Sequence, residues 1–239
     1  MSMLALSASL RKELLINVRS WRVLTYALFL AAVVLLGASP EQDGFPYELS
    51  ISQGPLVLLL VLGCSFIFGV DTVSREHERG TAPLLFGTPA RRGELLGAKA
   101  LVPVIAWLLT VIALAASYLT QGLGDLFASL WLVRLGCATL LFFVVLSLQL
   151  MLSAAMKGRG AAFAGLVVVL FIFFTSGYLP VGLGEGVLAI SPGYHEYLAV
   201  TDVMDGTLDS PLPLAALVIE ALVFYALANW FFKRSEVVR

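Results

Sequence analysis

Six apolar runs, spread over the length of the chain, leave very few folds open to it. They cover approximately residues 23–39, 55–70, 100–120, 132–155, 161–180 and 212–232. Each is close to the roughly 20 residues an α-helix needs to cross a hydrocarbon layer about 30 Å thick. None alternates polar and apolar residues as a barrel strand does, and unpaired backbone is too costly in lipid, so helices are the reading. Composition agrees, with 59% of the 239 residues hydrophobic and 13% charged, against roughly a quarter charged in soluble domains. The sequence therefore predicts an all-α polytopic membrane protein, a single domain over residues 1–239 with six transmembrane helices.

The segments between the runs set the topology. Over residues 4–22, Leu10, Leu14, Leu15, Val18 and Trp21 recur at helical spacing, with Arg11, Lys12, Glu13, Arg19 and Arg22 on the other side. That pattern predicts an amphipathic helix on the membrane surface, its cations toward headgroups. A basic lead-in, an apolar run and small residues at Gly37, Ala38 and Ser39 also fit a cleavable signal peptide. The long amphipathic lead-in and the five further runs favour a first span instead.

With the N-terminus inside, fourteen of the fifteen Lys and Arg residues fall on the inner side: Arg11, Lys12, Arg19 and Arg22; Arg75, Arg79, Arg91, Arg92 and Lys99; Lys157 and Arg159; Lys233, Arg234 and Arg239. The fifteenth, Arg134, lies just inside the outer end of the fourth run, and the outer loops carry acids such as Glu41, Asp125 and Asp205. The cation bias places both termini in the cytoplasm. Residues 181–211 mix glycines and prolines with Leu188, Ile190, Leu198, Val200 and Val203. The stretch is too apolar for a linker and too broken for a span, which predicts an outer re-entrant segment of short helices dipping back into the outer leaflet.

Catalytic signatures are missing. No GxxxxGK[ST] loop occurs, and the glycine cluster at 182–186 sits on the outer side, away from cytosolic nucleotide. His77-Glu78 is followed by Arg79-Gly80, without the second histidine of HExxH. Ser176 and His195 are the only candidates for an embedded serine protease, and His195 falls in the outer loop. Cys64 and Cys137 lie in separate apolar runs, as core or lipid-facing thiols. The formal net charge of −1 gives no reason to expect nucleic acid. The chain by itself is not expected to be an enzyme.

The charged island at 71–99 is where a soluble partner would act. If the second span continues as helix, Asp71 and Arg75 pair at i, i+4 and Glu76, Glu78 and Arg79 decorate a projecting stalk. Gly80 breaks it, Thr81 can cap a new short helix, and Pro83 fits the first turn, where a missing N–H is harmless. Leu84, Leu85 and Phe86 then form an apolar knob, ended by Gly87, Thr88 and Pro89. Such a knob on a charged stalk is costly unless a partner receives it. The alternative is a solvated loop whose apolar residues rest on the membrane surface.

The run Glu76-x-Glu78-x-Gly80-Thr81, then Leu84-Leu85, Thr88-Pro89, Arg92-x-Glu94-Leu95-Leu96 and Lys99 resembles the signature between the second and third spans of type-2 ABC exporter permeases. The six-span count, the amphipathic N-terminal helix and the long outer segment extend that resemblance over essentially the whole chain. Ser191-Pro192-Gly193-Tyr194-His195 is similar to a stretch in the branch with gliding-motility and copper-enzyme-maturation permeases.

The resemblance implies that Gly80–Phe86 is the coupling helix, docked on a separate ABC ATPase subunit, with Glu76, Glu78 and Arg79 as flanking polar contacts. ATP and Mg would belong to that subunit, and this chain would carry no cofactor. Two permease copies or homologues would pair around a path lined mainly by the second and fifth spans. Ala82-Pro83 departs from the family, where an aliphatic and an acid are frequent, so no acidic ATPase contact is carried to that point.

Within the spans, Glu220 lies about 12 Å and Arg134 about 3 Å from the outer ends at 1.5 Å per residue. A mid-span carboxylate costs roughly 2.5–3.5 kcal/mol on insertion scales. Glu220 is therefore expected to pair with Arg134 or to be protonated against a backbone carbonyl. Gln149 is expected to bond a neighbouring helix, and Gly160, Ala161, Ala164 and Gly165 to allow close packing.

The expected function is the permease subunit of an ABC exporter in a bacterial or archaeal inner membrane. No fixed charge lines the candidate pore spans, which points to an apolar or amphipathic cargo. The alternative is a non-transport membrane scaffold or an embedded lipid-modifying enzyme.

Overall fold

The computed structural model describes residues 3–37, 54–69, 73–74, 76, 92–120, 128–156, 160, 164–165, 167, 194–195, 198 and 211–234. Its helices are α1 (Met3–Arg19), α2 (Arg22–Gly37), α3 (Gly54–Gly69), α4 (Arg92–Thr120), α5 (Ala128–Ala155) and α6 (Leu212–Arg234). Among the described residues there is no strand. Helices α2 to α6 lie on the first, second, third, fourth and sixth apolar runs. Among the described residues, three helices, within α4, α5 and α6, are long and apolar enough to cross a membrane, and the bent pair Leu10–Arg19 and Arg22–Val33 makes a fourth if it is one span. Most of the fifth run and of residues 181–211 lies outside the described residues.

The bend between α1 and α2 has a local cause. Ser20 N still donates to Ile16 O at 3.0 Å, but Trp21 takes φ 63°, a left-handed value, and the axes turn by 67°. A bulky residue there costs roughly 1–2 kcal/mol. The ring is 70% exposed, in the position of an interfacial aromatic anchor. Beyond it, Thr25 N and Thr25 Oγ1 both donate to Trp21 O, closing the first turn of α2.

Helix α1 is not oriented as its apolar spacing suggested. Leu15, Val18 and Trp21 are exposed, while Glu13 and Asn17 are buried and Leu10 and Leu14 pack against the core. The sequence reading put Glu13 on the headgroup side with the cations; the structure turns it inward, against α4. Arg11, Lys12 and Arg19 remain exposed. The helix thus presents hydrocarbon to its surroundings on one side and a short polar stripe to the bundle on another.

Helices α3 and α5 carry much of the core. Leu60, Val61, Cys64 and Phe68 of α3 and Phe142, Val144, Val145 and Leu150 of α5 are almost completely buried. Both cysteines are buried and neither is in a disulfide, so they are core thiols. The Trp107 ring of α4 stacks on Phe142 of α5, centroids 4.9 Å apart and planes 8° off parallel, and its Nε1 donates to Thr139 Oγ1 at 3.2 Å. Thr139 in turn donates to Leu135 O. The indole N–H is thereby satisfied within apolar surroundings. Pro103 lies inside α4 and supplies no N–H to the carbonyl of Lys99, one turn before it. Its own carbonyl lies 3.7 Å from the Cys64 Sγ, a weak thiol donor.

A hydroxyl pair joins α2 to α4. Thr110 Oγ1 donates to Ala106 O at 2.9 Å and lies 2.6 Å from the Tyr26 hydroxyl, so Tyr26 is left to donate. Interhelical bonds of this kind in membranes average about 0.6 kcal/mol and reach about 1.7. Tyr26→Phe should cost about that much. Thr110→Val should cost more, because the buried Tyr26 hydroxyl keeps only the weak Cys64 thiol beside it. Thermal unfolding of the purified protein in detergent ranks the two, and an unchanged midpoint in both would remove this link from the fold.

Candidate functional site

Where the chain leaves α3 it is held from three sides. Val73 N and Ser74 N both donate to Ser153 Oγ of α5, each at 3.1 Å, and Glu76 N donates to Val73 O. One serine hydroxyl therefore satisfies two N–H groups that a chain end at this depth would otherwise leave bare. One turn earlier on the same face of α5, Gln149 lies against Gly69, where an added Cβ would sit 2.7 Å from Gln149 Oε1. Glycine there lets the end of α3 approach α5 closely.

The second hold is ionic. Lys99 Nζ of α4 lies 2.9 Å from Glu13 Oε1 of α1 and 2.9 Å from Glu76 Oε1. The lysine side chain is 2% exposed and the carboxylates 10% and 14%. An ammonium this deeply buried is tolerable only because two carboxylates and their hydrogen bonds replace its water. The consequence is geometric. One side chain fixes the N-terminal helix, the start of the 70–91 connection and the first turns of α4 relative to one another.

Glu76, expected as a flanking contact for a soluble partner, lies against Lys99 of the bundle. Glu78, Arg79, Gly80, Thr81, Leu84, Leu85 and Phe86 lie outside the described residues. Lys99 entered the sequence reading only as the end of a motif and as an inner-side cation. Its position seven residues after Arg92 on one helix, facing an apolar bundle, was the available signal for a buried partner.

The intramembrane polar residues differ from expectation in two places. Glu220 Oε1 pairs with His195 Nδ1 at 3.0 Å, the side chains 17% and 15% exposed. Glu220 thus meets a residue of the 181–211 segment that the sequence reading did not name as its partner. Arg134 lies on α5, its side chain outside the described residues. Glu220 Oε2 has no hydrogen-bond partner among the described residues. Gln149 is buried as expected, yet neither of its amide atoms is hydrogen-bonded among the described residues. The glycine opposite it offers no side-chain donor or acceptor. Of the small-residue face, Gly165 is buried against Leu152 of α5, while Gly160 has open space beside it.

Long apolar helices, an ion cluster that ties a loop base to the bundle, and an acid and a histidine paired at the side of α6 define a multi-pass integral membrane protein with a mechanically anchored connection. The particular family follows from its sequence profile. Residues 49–237 match the ABC-2 family transporter protein profile, so the chain belongs to that family and is a membrane component of an ABC transporter. No curated protein matches the chain.

Removing one partner from a buried ion cluster costs about 3–5 kcal/mol, whereas replacing the whole cluster by neutral groups of similar shape is close to neutral. Lys99→Met is therefore expected to lower the unfolding midpoint in detergent sharply. The triple variant Glu13→Gln, Glu76→Gln, Lys99→Met should recover most of the loss. A triple variant no more stable than Lys99→Met would show that the two carboxylates do not depend on the lysine.

Proposed function

We propose that this chain is the permease subunit of an ABC exporter, with six spans and both termini on the cytoplasmic side of a bacterial or archaeal inner membrane. Two copies, or this chain and a homologue, would enclose the path of an apolar or amphipathic cargo. ATP and Mg would be bound and turned over in a separate ATPase subunit that receives Gly80–Phe86. Membership of the ABC-2 family supports the transport role. The ion cluster at Lys99 is the observation that carries the coupling, because a connection used as a lever must be fixed where it meets the spans.

In that reading, closure of the ATPase pair displaces the knob at Leu84, Leu85 and Phe86. The displacement reaches Val73 and Glu76, and from there α5 through Ser153 and both α1 and α4 through Lys99. The ATPase shifts the permease between its two facings only to the extent that the docking surface has different affinity for the two ATPase states. A scaffold using the same ATPase contact would show nucleotide turnover indifferent to any compound, whereas an exporter's turnover responds to its cargo.

Leu84→Ser, Leu85→Ser, Phe86→Ser is the direct test. The variant should insert and fold as the native protein does but lose the co-purifying ATPase, since a central apolar anchor typically carries at least about 2 kcal/mol of binding, roughly thirtyfold. An ATPase that stays bound and remains responsive to cargo would overturn the docking assignment.

A further inference from the structure

Helices α4, α5 and α6 enclose a cleft of about 680 Å³. Leu140, Phe143, Ser147 and Leu150 of α5, at three- and four-residue spacing, form its floor, and α4 and α6 form its walls. The walls meet at the end nearest the 70–91 connection. There Arg92 Nη1 donates to Lys233 O at 2.6 Å, and a Cβ on Gly97 would lie 4.0 Å from the Tyr225 hydroxyl. The cleft is open to the side at Leu222, 64% exposed, and Phe143, 38%, while Leu150 of its floor is fully buried.

Its length matches a particular occupant. Lining residues of α4 run from Gly93 to Val104, about 16 Å at 1.5 Å per residue. Half of a hydrocarbon layer is about 15 Å. The cleft therefore follows one leaflet from its headgroup level toward the bilayer centre. Its chemistry changes along the same line. Among the described residues, Glu94 is the only charged lining residue and lies at the headgroup end, whereas the deeper lining on α4 is Ala100, Leu101 and Val104. Arg92, Lys233 and Arg234 gather at that same end, with Arg234 4.4 Å from the ring of the half-exposed Trp230. Among the described residues, three cations against one carboxylate complement a phosphate, and each cation at a membrane surface adds to the attraction for anionic lipid.

We infer that this cleft is a binding site for one anionic glycerophospholipid of the adjoining leaflet, its acyl chain lying along Leu140, Phe143 and Leu222 and its phosphate near Lys233 and Arg234. The site goes beyond the transport reading and does not depend on it. The lipid would act as a filler that lets α4 and α6 remain apart over the middle of the bilayer while touching at one end.

The test uses the full chain in vesicles of phosphatidylcholine doped with a photoactivatable phosphatidylglycerol carrying a diazirine on its acyl chain. Labelling should concentrate on Leu101, Phe143 and Leu222 over the equally lipid-accessible Leu28 and Ile112, which are 64% and 62% exposed. Lys233→Gln with Arg234→Gln should reduce the preference for phosphatidylglycerol over the matching phosphatidylcholine probe on the order of tenfold. Both residues are exposed, and the substitutions remove no buried group. Even labelling of Leu28, Ile112 and Leu222, or cleft labelling blind to headgroup charge in the native protein, would overturn the inference. So would a disulfide between copies carrying Leu222→Cys accompanied by loss of label, since the face would then belong to a second copy of the chain.

Discussion

A lysine ammonium enclosed by protein has to be surrounded by negative charge, and that requirement shapes one end of this molecule. Lys99 is 2% exposed, and its two carboxylates come from segments 63 residues apart in the chain, Glu13 and Glu76. Each carboxylate in turn would be costly to bury without the lysine. None of the three segments can move away independently of the others. The N-terminal helix, which its cations and exposed apolar face would otherwise leave as a surface attachment, becomes part of the bundle through this contact.

The polar stripe on α5 has a related role. Ser153 and Gln149 stand one turn apart and face the end of α3, the first fully engaged by two N–H groups and the second without a hydrogen bond among the described residues. A buried amide with no partner destabilises the arrangement it occupies by roughly 1–3 kcal/mol. The end of α3 is thus clamped at the level of Ser153, and any partner for Gln149 would add to that hold.

Much of this was legible in the sequence, for a plain reason. Apolar runs at about bilayer length have one solution, so α2 to α6 fall on runs that composition alone marks out. The family resemblance rested on acids, Gly80, Thr81, leucines, Thr88-Pro89, Arg92 and Lys99 at fixed spacing over 76–99, and the family profile over residues 49–237 agrees with it. Contacts between distant polar residues were not legible. Glu13 was assigned outward because its helix has apolar residues on more than one face, and spacing cannot say which of them meets protein and which meets lipid. His195 and Glu220 are separated by 25 positions, and only the path of the intervening chain makes them neighbours. Gln149 was expected to be bonded because buried amides usually are, a rule its glycine neighbour does not let it obey.

Pro103 gives the ion cluster a mechanical context. With no N–H at residue 103, the carbonyl of Lys99 loses its usual partner just above the point where that side chain is anchored. A helix bends most readily where its ladder lacks a rung. The lower turns of α4, from Arg92 to Lys99, therefore form a short rigid arm with a compliant joint above it, while Trp107 is stacked on Phe142 one turn further on. A small tilt of the arm would be taken up at that joint before it reached the stacked rings.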